Sequence, residues 1–262
     1  MYTKDFNLWE DEKDIKLSVI MMTDSFFYSI SSNEFGILCH KSFENIQYSK
    51  KESIANIFGD VNLKLDFISI DICCISNHNI ITKTDNTDVI MTVPTLESKD
   101  VFVEKFSSID SLNYFGISPH QSNMLNDLFV KDNCIFHSPL GLLSEWYDQN
   151  VEDVLHIHFE QSIIFIFAQR ANEIIFFNTF QVSEVNDILY FCLHISNNVS
   201  FHPNQISCFV SGWVEEKSKL FTVLSGYFGK LQITSGATLS SKIDKDSDLE
   251  PHYYFLHFLN VR

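Results

Sequence analysis

Residues 154–180, VLHIHFEQSIIFIFAQRANEIIFFNTF, are the most informative part of the sequence. They contain three apolar runs rich in Val, Ile and Phe, at Val154–Phe159, Ser162–Ala168 and Ile174–Phe180. Runs of this composition between polar turn residues are typical of strands that pair in succession. Because each run is apolar on both faces, we expect three antiparallel strands in a sheet that is covered on both sides.

A related pattern occurs earlier in the chain. The strands predicted there are Leu17–Met22, Phe26–Ser31 and Phe35–Lys41. DSFFY at residues 24–28 corresponds to QSIIF at residues 161–165, and the distance from the serine to a later phenylalanine is the same in both copies, 25 to 43 and 162 to 180. The pattern favours a duplicated unit. Identity between the copies is low, so chance similarity is the alternative.

A helix is predicted after each set of three strands. In the first copy, Ser49 and Glu52 form a capping-box pattern, and apolar residues follow at helical spacing from Ile54 to Val61. In the second copy, Ser183 is the predicted N-cap of an amphipathic helix that spans Val185–Ile195.

Further elements complete each half. The strands that follow the helices are predicted at Phe67–Ile75 and Ile206–Val210, and the last strands at Cys134–His137 and Leu231–Thr234. A second helix is predicted over Ser98–Ile109 in the first half, and a helix that Gly229 ends in the second half. Ser138 and Pro139 predict the start of a helix that joins the halves.

Each half therefore has the order β-β-β-α-β-α-β, and a helix follows the first. We predict a first lobe at residues 1–138 and a second lobe at 139–234. Residues 235–250 are polar and without periodicity, which predicts a flexible loop. Residues 253–261 predict a strand or helix, so that 235–262 form a segment that packs back on the first lobe.

Two copies of β-β-β-α-β-α-β-α resemble the actin-like ATPase fold, an α/β fold of the ribonuclease H-like class. Several motifs resemble a family of uncharacterised bacterial proteins with this fold. They are NTF at 178–180, DILYF at 187–191, CIFHSP at 134–139, Ser211-Gly212 and YYFL at 253–256. The resemblance covers nearly the whole chain, and the family is also similar to the actin-like proteins of pilus and secretion assembly.

The resemblance implies a cleft between the lobes in which each lobe's first hairpin turn wraps the phosphates of ATP. Such turns need glycine so that backbone amides approach phosphate closely, and an Asp to hold hydrated magnesium. The first turn has Asp24 and Ser25 but no glycine. The second has Glu160 and Gln161 in place of glycines, and the adenosine loop keeps only Gly212.

Two main interpretations of the cleft remain open. The first is a non-catalytic pseudo-ATPase that serves as an interaction or scaffold module, with no cofactor and an unidentified protein partner. The second is a nucleotide-binding protein that holds ATP with magnesium through an atypical phosphate site. The residues of this degenerate site are Asp24, Ser25, Gln161, Ser162, Ser211 and Gly212. A self-associating, filament-like protein is a third hypothesis, which the acidic surface disfavours. The sequence predicts no catalytic residue, and ATPase activity is not expected.

The net charge and the cysteines indicate which partners and which cellular compartment are expected. The net charge of −16 disfavours nucleic acid and anionic lipid as general partners. The longest apolar run, Ile163–Ala168, is far shorter than the ~18 residues of a membrane span, so no membrane insertion is expected. Six cysteines without a CxxC motif favour the cytoplasm, and adjacent Cys73 and Cys74 are predicted to face opposite sides of a strand in the core.

Three further features of the sequence carry predictions. His156, His158 and Glu160 have the spacing of a metal-binding strand, but half-exposed strand residues would show the same spacing, and no metal site is predicted. Trp213 is hypothesised to fill the space of a nucleotide base. Asp187 is predicted to bond the Asn178–Thr179 turn.

Overall fold

The strands are arranged in three sheets in the part of the chain that the structure describes. The computed structural model describes residues 2–3, 14–34, 36–75, 79–82, 100–106, 111–130, 133–147, 152–171, 173–234, 252 and 255–260.

The first lobe is built on a six-stranded sheet with the order β1-β4-β3-β2-β5-β9. The strands are β1 (Tyr2–Thr3), β2 (Ile15–Met21), β3 (Phe26–Ser32), β4 (Gly36–Phe43), β5 (Ser69–Cys74) and β9 (Cys134–His137). β2, β3 and β4 pair antiparallel, whereas β5 and β9 run parallel to β2. Helix α1 (Lys51–Phe58) and a 3₁₀ turn (Val61–Lys64) connect β4 to β5.

The second lobe repeats this topology in a five-stranded sheet with the order β12-β11-β10-β13-β14. The strands are β10 (Val154–Glu160), β11 (Ile163–Arg170), β12 (Glu173–Gln181), β13 (Ser207–Gly212) and β14 (Lys230–Ile233). Helices α4 (Val185–Asn198) and α5 (Lys219–Ser225) provide the crossovers. The order matches β4-β3-β2-β5-β9 strand for strand, as the duplicated pattern in the sequence predicts.

The first lobe also carries an insertion between β5 and β9. It contains a three-stranded antiparallel sheet in the order β6-β8-β7, formed by β6 (Asn79–Thr82), β7 (Asp100–Lys105) and β8 (Leu112–Ile117). Helix α2 (Pro119–Leu128) follows, with a capping box formed by Ser118 and Gln121.

Two helices join the lobes. They are the linking helix α3 (Pro139–Tyr147) and the C-terminal helix α6 (Phe255–Asn260), which contacts α3, β2 and β5 as well as β13 of the second lobe. Residues from both lobes and both helices form one apolar core, in which Phe27, Leu143, Phe165 and Phe255 are buried. Separate cores cover the outer faces of the two sheets. Both sheets are therefore covered on both sides, as expected from their apolar strands.

The prediction of a helix over Ser98–Ile109 is wrong for the residues described, because 100–105 form β7. Val101 and Val103 are β-branched and favour a strand, and the segment pairs with β8 along its whole length. The second helix of the first half is instead α2, which sequence analysis missed.

Helix ends were predicted with mixed success. Ser138 accepts a hydrogen bond from the Gly141 N–H at 3.0 Å, which confirms it as the cap of α3. Ser49 does not cap α1, since the N-cap is Lys50 without a side-chain bond. Gly226, and not Gly229, follows the last residue of α5.

The predicted roles of Ser183 and Asp187 are also corrected. The N-cap of α4 is Glu184, and Asp187 accepts hydrogen bonds from the backbone N–H groups of Ser183 and Glu184. Asp187 therefore closes the first turn of its own helix and does not bond Asn178, which lies within β12.

The remaining predictions concern the cysteines and the chain segments. All six cysteines are free thiols, and buried Cys73 and Cys74 belong to two different cores, which confirms that they face opposite sides of β5. The predicted loop at 235–250 lies outside the described residues, as do residues 253, 254 and 261 of the last segment. The domain boundaries 1–138, 139–234 and 235–262 stay predictions.

Candidate functional site between the lobes

The first hairpin turns of the two lobes touch each other at the cleft. The Ser25 hydroxyl, after β2, lies 3.0 Å from Asp24 Oδ1 and 3.4 Å from Gln161 Oε1 across the cleft, and its single hydrogen can be donated to either acceptor. Ser25 is buried, whereas Asp24 and Gln161 are exposed. Three predicted site residues thus come together, but they bond one another.

Gln161 stands where a glycine would suit the backbone. Its φ of 51° is in the left-handed region, which glycine adopts without steric cost and other residues rarely adopt. The turn therefore keeps a glycine-like backbone but adds a side chain, and that side chain reaches Ser25. Ser162 is exposed on the outer side of the same turn, where its Oγ accepts a hydrogen bond from Gln181 Nε2 at 3.0 Å.

A buried chain of polar side chains extends from the linking helix to this turn. The Tyr147 hydroxyl lies 2.6 Å from His156 Nδ1, and Ser211 Oγ lies 2.7 Å from both His156 Nε2 and His158 Nδ1. Because serine carries a single hydroxyl hydrogen, one imidazole must donate to Ser211 while the other accepts from it. His158 Nε2 then faces Glu160, with 3.5 Å between Nε2 and Oε2.

The two histidines are completely buried, so the interpretation as half-exposed strand residues is wrong. The physical reason is the cover on this face of β10. The imidazole of His156 stacks on Phe255 of α6 at 5.2 Å between centroids and meets the ring of Tyr147 edge-on. Burial lowers the pKa of His156 well below its usual value, and the nearby His158 lowers it further.

Ser211 and Gly212, at the end of β13, pack against β10. Ser211 is buried between the two histidines. Gly212 has a φ of 81°, and a Cβ at this position would lie 1.9 Å from the carbonyl oxygen of Phe159. The glycine thus permits β13 to approach β10 closely.

Trp213 lies against the second turn. Its indole N–H donates to Glu160 Oε1 at 3.1 Å, its backbone N–H donates to Phe159 O at 2.9 Å, and about half of the residue is exposed (51%). Trp213 thus orients the one carboxylate of this turn.

A second carboxylate occupies the N-terminus of the linking helix. Glu104 accepts hydrogen bonds from the Ser138 backbone N–H at 2.7 Å, from Ser138 Oγ at 2.5 Å and from Asn113 Nδ2 at 3.2 Å. A Cβ on Gly141 would lie 2.5 Å from Glu104 Oε1. Burial raises the pKa of Glu104, and the bonds from Ser138 oppose that shift. Glu104 was missed because its segment was predicted as a helix. The β-branched residues of DVFVEK were the available signal.

Two contacts at the cleft involve groups that could otherwise face an anion. Gln161 Oε1 lies 3.4 Å from Ser25 Oγ between the two turns, and Glu104 accepts the Ser138 N–H at the N-terminus of α3, where the helix dipole favours negative charge. Among the described residues, no group of His, Cys, Asp and Glu could hold a metal ion. A surface cavity of about 330 Å³ lies at the far ends of β10 and β13, where Asp153, Ser207 and Lys230 line it.

Solved structures with the same architecture define the class of protein. A Bacteroides thetaiotaomicron protein with actin-like ATPase fold and unknown function is 16% identical, with a TM-score of 0.71 and 100% of both chains covered. A chain of the PilM–PilN type IV pilus biogenesis complex is 7% identical, with a TM-score of 0.62 and coverage of 94% of this chain and 97% of that one. The cytoplasmic domain of EpsL from Vibrio cholerae is 10% identical, with a TM-score of 0.52 and coverage of 95% and 96%. The protein therefore has the actin-like ATPase fold, as predicted.

The family follows from the sequence. The family described as "Protein of unknown function (DUF3822)" matches residues 4–231, and the chain belongs to it. No curated protein sequence matches the chain. Within the described ranges, no helix is long and apolar enough to cross a membrane.

Proposed function

We propose that the protein is a non-catalytic actin-fold module that acts by binding another protein. The observation that carries this proposal is the hydrogen bond between Ser25 and Gln161, which joins the two turns at the place where nucleotides bind in ATPases of this fold. The buried Tyr147–His156–Ser211–His158 chain includes two residues of β10, the strand that ends at the turn with Gln161. Packing of the protein's own side chains thus replaces a ligand.

The charges at the cleft support the same proposal. Burial raises the pKa of Cys73 at the end of β5, and the carboxylates of Glu104 and Glu160 both add to that shift. Two carboxylates therefore lie close to the ends of the central strands. A triphosphate entering there would meet repulsion in a region of low dielectric, where charges interact more strongly than in water.

Structural relatives favour a role in an assembly. One similar chain comes from the PilM–PilN complex of type IV pilus biogenesis, and another is the cytoplasmic domain of EpsL, an inner membrane component of the type II secretion system. Such analogy supports a protein-binding role without assigning the partner. A cytoplasmic location is part of the proposal, since all six thiols are unpaired.

Thermal unfolding with and without millimolar Mg-ATP, Mg-ADP and GTP tests the proposal. We expect no change in the midpoint with any of them. A ligand at ~100 times its dissociation constant would add about 2.7 kcal/mol and raise the midpoint by several degrees. Such a rise would favour the alternative, ATP binding with magnesium through Asp24, Ser25, Gln161, Ser162, Ser211 and Gly212, and would overturn the proposed closed cleft.

A further inference from the structure

The edges of the two equivalent sheets differ. In the first lobe, β1 pairs antiparallel with the outer edge of β4, and Tyr2 lies opposite His40. β12 is the counterpart of β4 in the second lobe, and no described residue pairs with its outer edge. Among the described residues, one copy of the repeat thus has an added strand at this edge and the other has none.

The open edge is long and apolar. β12 has nine residues, EIIFFNTFQ, of which Ile174, Ile175, Phe176, Phe177 and Phe180 are only partly buried. Long, apolar edge strands are templates for pairing with another chain. The strand therefore has the properties of a docking site for an extended segment.

The direction of its backbone groups follows from the ladder. The register places Ile163 opposite Gln181, so the next pair is Ser162 and Val182. The Val182 N–H donates to Ser162 O at 2.8 Å, so this pair is hydrogen-bonded. Hydrogen-bonded and non-hydrogen-bonded pairs alternate in antiparallel sheets, so Phe177, Thr179 and Gln181 direct their backbone groups to the open side. The N–H of Thr179 bonds Asn178 Oδ1 at 2.8 Å, which is a contact a docking strand would displace.

A row of aromatic rings continues from this edge onto α4. Phe176 stacks on Phe180 at 6.5 Å, and Phe180 stacks on Phe191 of α4 at 4.3 Å. Tyr190 packs beside Phe191 at 5.4 Å and is 60% exposed. Large apolar side chains of a docked strand would find a partly exposed aromatic surface here.

The acidic residues near this edge favour a partner segment of positive charge. Glu173 lies at one end, while Glu184 and Asp187 lie beyond the other. Arg170, opposite Glu173 in the ladder, directs its guanidinium to Asp153 and to the carbonyl oxygen of Val199. A second copy with a charge of −16 would bring like charges together. A segment of opposite charge would be attracted.

We propose that the outer edge of β12 binds an extended segment of another protein in which apolar residues alternate with Lys or Arg, added as a sixth strand to the sheet. This inference rests on the proposed function, a module that binds a protein, and names the surface and the chemistry of the partner. Main-chain hydrogen bonds would supply affinity, and alternate side chains would supply specificity.

Peptide binding to the full chain tests the proposal. The probe is a synthetic peptide of about nine residues that alternates Ile and Val with Lys. The controls are the same pattern with Glu and a peptide of identical composition in which apolar and basic residues are separated into blocks. We expect the alternating basic peptide to bind best, and to slow amide exchange at Phe177 and Gln181.

Matched variants separate strand addition from simple charge attraction. Thr179→Pro removes an outward N–H at a position where an edge strand tolerates proline, while Thr179→Val keeps it. We expect Thr179→Pro to weaken binding about tenfold or more and Thr179→Val to leave it nearly unchanged. The thermal midpoints of both variants verify that they are folded, and the exchange pattern of the unaltered protein provides a test that needs no variant.

Each outcome has a defined meaning. Absence of binding, equal binding of the block peptide, or slowed exchange elsewhere than in β12 overturns the inference. A dimer of the unaltered protein that Thr179→Pro dissociates makes a second copy the occupant and overturns it as well. These results leave the proposed function standing if nucleotides do not bind, whereas nucleotide binding defeats the proposed function whatever the peptides do.

Discussion

Ser25 of the first lobe lies within hydrogen-bond distance of Gln161 of the second, with 3.4 Å between Oγ and Oε1, and this contact bridges the cleft between the lobes. Neither residue type is unusual, but the backbone of Gln161 is, with a φ of 51°. The turn has kept the conformation that favours glycine while its side chain bridges the lobes. The Gln161 side chain is exposed, whereas Ser25, which it contacts, is buried.

Substitution of Ser211 tests the buried polar chain. Ser211→Ala leaves nitrogens of both His156 and His158 without their partner, and an unsatisfied buried group costs about 1–3 kcal/mol. We expect urea unfolding to show a loss of about 2–3 kcal/mol. The control is Ser225→Ala on exposed α5, with an expected change within about 0.5 kcal/mol. Equal effects of the two substitutions would argue against the chain.

We expect any side chain at position 212 to destabilise the protein. Gly212→Ala combines a φ of 81° with a contact of 1.9 Å to a backbone oxygen, so β13 would have to move away from β10. We predict a loss of about 3 kcal/mol or more. Gly226→Ala is the matched control, because its φ is −69° and its Cβ meets nothing closer than 3.3 Å. A tolerated Gly212→Ala would contradict the close approach of the strands.

A double-mutant cycle tests whether Glu104 occupies the start of the linking helix. Gly141→Ala places a Cβ 2.5 Å from a carboxylate held by three hydrogen bonds, so we expect a loss of about 1–3 kcal/mol. In a Glu104→Ala background that carboxylate is gone, and the same change should cost less than about 1 kcal/mol. Measured unfolding free energies of the four proteins give the coupling. Additive effects would mean that Glu104 is not at Gly141.

Stability is predicted to fall in mild acid. Burial lowers the pKa of His40 to about 4, and burial also lowers the pKa values of His156 and His257 well below the usual range. For a histidine whose folded pKa is depressed, stability is at its full value above about pH 6.5, because the histidine is then neutral in both the folded and the unfolded state. Below that pH the unfolded state takes up protons that the folded state cannot. Stability therefore declines from about pH 6.5 to about pH 4.

His40→Asn isolates one contribution to this decline. Asparagine can keep the bond that His40 makes with Ser29 at 2.9 Å but does not titrate. We expect the variant to be less stable at pH 7.5 and the difference to shrink by up to about 3 kcal/mol toward pH 4. A difference in unfolding free energy between the two proteins that is the same at every pH would show that His40 does not contribute to the decline.

The duplicated topology could be predicted because its signals are local. Apolar runs such as Ile163–Ala168 occur at matching distances in both halves, and turn residues separate them. The position of β7 could not be predicted with the same rule, since DVFVEK is short and its pairing with β8 is a tertiary contact. The end of α5 was misplaced because Gly226 and Gly229 are both plausible stops, and packing decides between them.

Burial of His156 and His158 depends on residues far along the chain. Alternation correctly places both histidines on one face of β10, but the cover on that face comes from Tyr147 of α3 and Phe255 of α6. The sequence around the two histidines does not predict that these distant residues pack over them. The same holds for the contact between Ser25 and Gln161, which depends on how the lobes meet.

Titration calorimetry with Mg-ATP is the most direct test of the closed cleft. The unaltered protein is titrated at 25 °C, and a Ser25→Gly, Gln161→Gly variant serves as a comparison in which the contact between the turns is absent. The account predicts no saturable heat with the unaltered protein up to millimolar nucleotide. Saturable binding with a dissociation constant of micromolar order, equivalent to about 8 kcal/mol, would contradict it.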